Sequence, residues 1–149
     1  IASNMMPVSL TSLGLKAAVE DIAEHLRSDH VLDVRCEVVG LEDRLDEATE
    51  IMIYRIVQEL SNNVVKHARA DQVLIQLNLT EGELFLIVED NGVGFDPASV
   101  DQSASMGMQS LYSRVHYLGG ELDLASVPGE GTCVTVRIPI DRKSPIANN

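Results

Sequence analysis

Basic residues are scarce in this chain. Eleven lysines and arginines stand against 23 aspartates and glutamates, a formal net charge of -12 at pH 7. A field of that sign repels nucleic acid and anionic lipid, so broad electrostatic binding to either is excluded as the main activity. A polyphosphate partner would need local attraction, from a divalent cation or from backbone N–H groups aimed at it. Cysteine is almost missing. Cys36 and Cys133 are far apart and form no C-x-x-C pair, which argues against a disulfide framework or a zinc site and for a reducing compartment. Long apolar runs are missing too: none approaches the roughly 20 residues that span a bilayer, and no signal peptide is visible. No internal repeat, low-complexity segment or G-x-x-x-x-G-K-[ST] phosphate loop occurs. The chain opens on Ile1 rather than methionine, and we read it as a soluble, cytoplasmic piece of a longer protein.

What is present suits one domain. The 149 residues are 45% hydrophobic, enough for a single core. "SLTSLGLKAAVEDIAEHL" repeats apolar residues at a helical period, and "VLDVRCEVVG" alternates as a strand. "LDEATEIMIYRIVQELSNNVVKHA" is the longest helical pattern, acidic at its start and basic at its end, as the helix dipole favours. "QVLIQLNLTEGELFLIVED" reads as two strands around a Glu-Gly turn, "DPASVDQSAS" as a loop and "MGMQSLYSRVHYLGG" as a third helix. "ELDLASV", "PGEG" and "TCVTVRIPI" form a closing hairpin. Strands linked by hairpins imply a mixed, mostly antiparallel sheet. Three helices would cover one of its faces, giving an α+β, two-layer α/β sandwich.

The long helix carries a polar stripe. At about 100° per residue, Arg55, Asn62, Asn63 and Lys66 all project within about 60° of Glu59. Ile53, Ile56, Val57, Leu60, Val64 and Ala68 occupy the adjoining apolar arc, and His67 falls inside that arc. A solvated face with one or two i,i+4 contacts is the plain reading of such a stripe, worth a few tenths of a kcal/mol. Asparagine, however, is a mediocre helix former. An amide oxygen and a carboxylate one turn apart can together hold a hydrated magnesium ion.

Three glycine motifs follow. "DNGVGF" leaves an apolar strand directly, and a carboxylate there, Asp90, needs a hydrogen-bonding partner such as an exocyclic amine. Gly92 and Gly94 suit backbone that passes close to a ligand. "MGMQSL" starts a helix at Gly107 after a polar loop, an anion-binding geometry. "PGEGT" delivers Thr132 to the head of the last strand. Taken singly, each fits an ordinary turn or helix start.

Taken in order, the four motifs resemble the ATP-binding module of the Bergerat, or GHKL, superfamily, which includes bacterial sensor histidine kinases, gyrase, a heat-shock chaperone and a mismatch-repair protein. The resemblance covers about residues 46–140, and "QELSNNVVKHA" with the C-terminal third is similar to histidine kinases with a short ATP lid. It implies ATP and Mg2+ as cofactors, Asn63 as the magnesium ligand, and Glu59 as the catalytic residue polarising the attacking group, with Lys66 beside it. Lys66 and His67 would face the phosphates, as would Gly107 and the amides after it, starting with Met108. Asp90 would bind the adenine amine, Gly92 and Gly94 would admit the base, Thr132 would back Asp90 through a hydroxyl or a water, and Gly131 beside it would belong to the same nucleotide site. The lid would run from Asp96 to Ser105. The head, "P-x-x-L-x-x-x-G-L", resembles the exit from a dimerisation helix. Residues 1–12 would then end that helix and linker, 13–141 form the catalytic domain, and 142–149 a disordered tail. None of His25, His30, His67 and His116 lies where the family's phosphoacceptor belongs, so that histidine is expected on a preceding segment. The implied partners are the protein's own dimerisation domain and a downstream response regulator, with a monomeric fragment and a homodimeric parent. Two other readings share the fold: an anti-sigma-factor-type serine kinase and a non-catalytic nucleotide-sensing domain.

Overall fold

A computed structural model describes residues 6–96 and 106–140. Most of the lid expectation and all of the tail fall outside these residues. A π turn, Ser9–Leu13, precedes α1 (Leu15–His30), β1 (Asp33–Val39) and α2 (Glu47–Asn63); a second π turn, Val64–Ala68, continues α2. Then come β2 (Gln72–Thr80), β3 (Glu83–Asp90), α3 (Met106–Tyr117), β4 (Glu121–Val127) and β5 (Gly131–Pro139). The five strands form one sheet in the order β1-β2-β3-β5-β4. Only β1 and β2 run parallel, joined through α2; the other neighbours are antiparallel. The expected two-layer α+β architecture is therefore the observed one.

Local chemistry explains the element ends. Gly14, at φ 106°, breaks the long helical pattern expected from residue 9 into the π turn and α1. Asp46 caps α2: its carboxylate accepts from the Thr49 amide at 3.2 Å and from the Thr49 hydroxyl at 2.6 Å. Glu81 and Gly82, both at positive φ, make the tight turn between β2 and β3.

The core lies between helices and sheet. Alternation turns Val73, Ile75, Leu77 and Leu79 of β2, and Leu84, Leu86 and Val88 of β3, toward the helices, and all are buried. Each fully buried side chain of this kind stabilises the fold by roughly 1.5–3 kcal/mol. Leu10, in the segment assigned to the linker, is also in the core at 2% exposure. It is held there by Arg44, whose guanidinium donates to the Leu10 carbonyl at 3.3 Å. The same guanidinium grips buried Glu50 of α2 with two nitrogens, at 2.9 and 3.0 Å, and the Leu45 amide donates to Glu50 as well. Among the described residues, no helix is long and apolar enough to cross a membrane.

Candidate functional site

A cavity of about 370 Å³ opens where the end of α2 meets the end of the sheet. That is within the range of small-molecule sites, roughly 300–1,000 Å³. Leu60 of α2, Val64 of the π turn, Val88, Leu124 and Val134 of the sheet, and Val93 and Phe95 of the loop after β3 give it apolar walls. Its polar groups are few: Asn63, His67, Asp90 and Thr132.

The helix side depends on the π turn. Its i→i+5 spacing winds Val64–Ala68 more loosely than an α-helix. Side chains from residue 64 onward therefore leave the 100° progression of the sequence projection. His67, placed by that projection in the apolar arc, is exposed at the cavity mouth instead. Asn63, the last residue of α2, is half-buried and lines the cavity. Glu59 is half-buried one turn earlier, and Lys66 is exposed; neither is on the cavity wall.

The sheet side ends in a polar row. β3 alternates so that Leu84, Leu86, Val88 and Asp90 share the helix-facing side, and Asp90 takes the place of a core residue at 8% exposure. Its Oδ1 accepts from the Gly92 amide at 2.8 Å. Burial pushes the Asp90 pKa above the ordinary aspartate value, while backbone hydrogen bonds from Gly92 and Thr132 pull it partly back. Asp90 pairs in register with Thr132 of β5, and Thr132 with Ser126 of β4. The Thr132 hydroxyl lies 2.8 Å from the Ser126 hydroxyl, and the Thr132 backbone is among the groups that hold the Asp90 pKa down.

The loop after Asp90 is fastened on both sides. The Val93 amide donates to the Ala68 carbonyl at 2.7 Å, and the Val93 carbonyl accepts from the Gly129 amide at 2.6 Å. The Phe95 amide donates to Ser126 Oγ at 2.8 Å. Asn91 accepts from the amides of Asp71 and Gln72 at 2.9 and 3.0 Å, tying the loop to the start of β2. A Cβ on Gly92 would sit 2.0 Å from the Ala68 carbonyl oxygen, and one on Gly94 2.1 Å from that of Val127. The close approach these two glycines permit is to the chain's own backbone. Gly131 is buried against the Asp90 carbonyl.

Of the residues singled out in the sequence, Asn63, His67, Asp90, Gly94, Met108 and Thr132 line one cavity. Gly107 lies in the first turn of α3. The sequence reading missed Ser126 and Asn91: one sits in a regular strand alternation and the other inside a motif read for its glycines. The arrangement suits a flat heteroaromatic ring, sandwiched by apolar side chains and read at one edge by a carboxylate.

Residues 48–142 match the family described as histidine kinase-, DNA gyrase B- and HSP90-like ATPases. The chain is 31% identical over 137 residues to the sensor histidine kinase LiaS of Bacillus subtilis, which covers 92% of this chain and 37% of that protein. It is 29% identical over 140 residues to the oxygen sensor histidine kinase NreB of Staphylococcus carnosus, covering 94% and 40%. The chain thus spans about two-fifths of the length of these two relatives. Among solved structures, the histidine kinase domain of an Erythrobacter litoralis blue-light activated kinase superposes with a TM-score of 0.66 at 25% identity, over 91% of this chain and 65% of that one. With the family match covering well over half its length, this chain belongs to the histidine kinase-, DNA gyrase B- and HSP90-like ATPases.

Proposed function

We propose that this chain is the ATP-binding catalytic domain of a cytoplasmic sensor histidine kinase module. The supporting observation is that Asn63, at the end of α2, and Asp90, at the end of β3, stand on the wall of one apolar cavity. Adenine would lie between Val88, Leu124 and Val134 with its amine toward Asp90. The phosphates would then extend past Asn63 and His67 toward Lys66 and the first turn of α3, where Gly107 and Met108 would offer backbone amides.

Among the described residues there is no cluster of three or more His, Cys, Asp or Glu that could hold a metal by itself. Asn63 fits magnesium in another way, as one ligand of an ion otherwise held by phosphate oxygens and water. Bound there, magnesium would supply the positive charge that a chain of net charge -12 lacks. The chain's own residues do the positioning. Asp90 fixes the base, Asn63 fixes the phosphate end, and Lys66 attracts the phosphates. Glu59, one turn before Asn63, polarises the attacking imidazole. In-line attack by that imidazole breaks the γ-phosphorus bond to the bridging oxygen, forms a P–N bond and releases ADP. The acceptor histidine would come from a dimerisation domain of the parent protein, and a response regulator would take the phosphoryl group onward.

Calorimetric titration of this chain with a magnesium complex of a non-hydrolysable ATP analogue tests the reading. Binding is expected for the wild type and loss of binding for Asn63→Ala; no binding by the wild type refutes it. In the parent protein, phosphate should be acid-labile, as on histidine. Acid-stable phosphate would transfer the assignment to a serine kinase.

A further inference from the structure

We propose that Ser126 is a positioning residue for base recognition, acting by fixing the direction in which the Thr132 hydroxyl points its hydrogen. The inference rests on the reading of Asp90 as the adenine acceptor. Ser126 is buried, at 9% exposure, in β4, and its Oγ has three polar neighbours. The Phe95 amide donates to it at 2.8 Å, the Gly131 carbonyl lies within reach of its hydrogen at 3.1 Å, and Thr132 Oγ1 lies 2.8 Å away, a pair in which either hydroxyl can donate.

A serine hydroxyl has one hydrogen and two lone pairs. With the hydrogen directed to Gly131 and one lone pair taken by Phe95, the remaining lone pair can only accept. A carbonyl can only accept, so with the Ser126 hydrogen given to Gly131 the Thr132 hydroxyl becomes the donor of the pair. Its single hydrogen turns away from the cavity, and the face that Thr132 presents to a ligand carries lone pairs alone. The Asp90 carboxylate beside it in the β3–β5 ladder offers acceptors as well. Two adjoining acceptors match the amino edge of adenine. They leave the carbonyl edge of guanine or hypoxanthine facing lone pairs, an arrangement polar sites reject strongly. Ser126 also holds the Phe95 amide, so one hydroxyl sets both the polarity of the base edge and the start of the segment that leads from β3 to α3.

The test is competition binding of ATP against ITP, whose base has a carbonyl in place of the amine. In Ser126→Ala the Thr132 hydroxyl is free to rotate and donate. The wild-type preference for ATP should fall by about tenfold, the scale of one misdirected hydrogen bond, with ITP affinity maintained or improved. Exchange of the Phe95 amide with solvent should quicken. A role in packing alone would weaken both nucleotides alike and leave their ratio unchanged, which overturns the proposal. Ser126→Cys, nearly isosteric and a weak acceptor, should show the same narrowing and serves if the alanine variant does not fold. In a Thr132→Val background, Ser126→Ala should leave the ATP to ITP ratio where Thr132→Val alone puts it; a further change overturns the route through Thr132. Failure of the wild type to bind ATP at all would instead strike the function proposed for the cavity.

Discussion

The amide of Val93 is hydrogen-bonded to the carbonyl of Ala68 at 2.7 Å, and this bond ties the loop below Asp90 to the end of the helix that carries Asn63. Both termini of the cavity are thereby set against each other by backbone alone. A side chain cannot be placed between them without moving one.

Gly92→Ala should do that. The new methyl would fall 2.0 Å from the Ala68 oxygen, so the loop must lift away from the helix. Overpacking of this kind costs about 1–3 kcal/mol. Urea denaturation should register that loss, and calorimetry should record a drop in nucleotide affinity larger than stability alone explains. Unchanged affinity would mean that the spacing between loop and helix does not matter to the ligand.

Asp90→Asn should separate stability from binding. Burial raises the Asp90 pKa in the folded state above its unfolded value. The folded protein thus holds that proton more tightly, a contribution fully present below the unfolded pKa and lost as pH rises through the folded one. At neutral pH the wild type bears the full cost of a buried carboxylate, and the neutral amide does not. The variant should match or exceed the wild-type Tm at neutral pH, with its advantage shrinking as acid protonates Asp90. Nucleotide affinity should fall at least about tenfold. Thermal melts between about pH 4 and 7, paired with titration calorimetry, check both halves.

Glu59 and Asn63 should fail differently. Asn63 is on the cavity wall and Glu59 is not. Asn63→Ala should lower affinity for the magnesium–ATP complex, while adenosine, which has no phosphates, should bind as before. Glu59→Gln in the parent kinase should leave ATP affinity near wild type and slow phosphoryl transfer by about 10²-fold or more, the scale of a lost general base. Equal transfer rates would remove Glu59 from the chemistry.

The clamp between Arg44 and Glu50 should respond asymmetrically. Glu50 is 3% exposed at its side chain and Arg44 48%. Arg44→Met strands a buried carboxylate with only the Leu45 amide for company, whereas Glu50→Gln leaves a guanidinium that water can solvate. The Arg44 variant should lower Tm the more, and amide exchange around Leu10 should quicken in it. A larger loss for the Glu50 variant would contradict the burial argument.

Much of this molecule can be read from residue order. Alternation in "QVLIQLNLT" and "ELFLIVED" identifies two strands and their buried faces. It also places Asp90 at a core position, where an unexplained carboxylate is conspicuous. Residues 45–68 read as one helix; α2 starts two residues later, after the Asp46 cap, and its final turn is a π turn. That turn escapes a projection at fixed angle, because π geometry answers to the packing of Val64 and Ala68 and leaves no local signature; hence the misplacement of His67. The parallel pairing of β1 with β2 is equally silent locally, since it is set by the path of α2 over the sheet. Gly92 and Gly94 announce a close approach but not its partner, which only the folded chain supplies. Ser126 was hidden because a serine in an alternating strand looks like any other edge residue.

The sheet order has a mechanical corollary. β3 is the middle strand of five, so Asp90 is moored to the element that would be last to exchange its amides. β4 is a rim strand, and Ser126 rides on it. Peeling of that rim would loosen Phe95 and Thr132 while Asp90 stays put, which gives the domain a soft jaw and a hard jaw around one cavity.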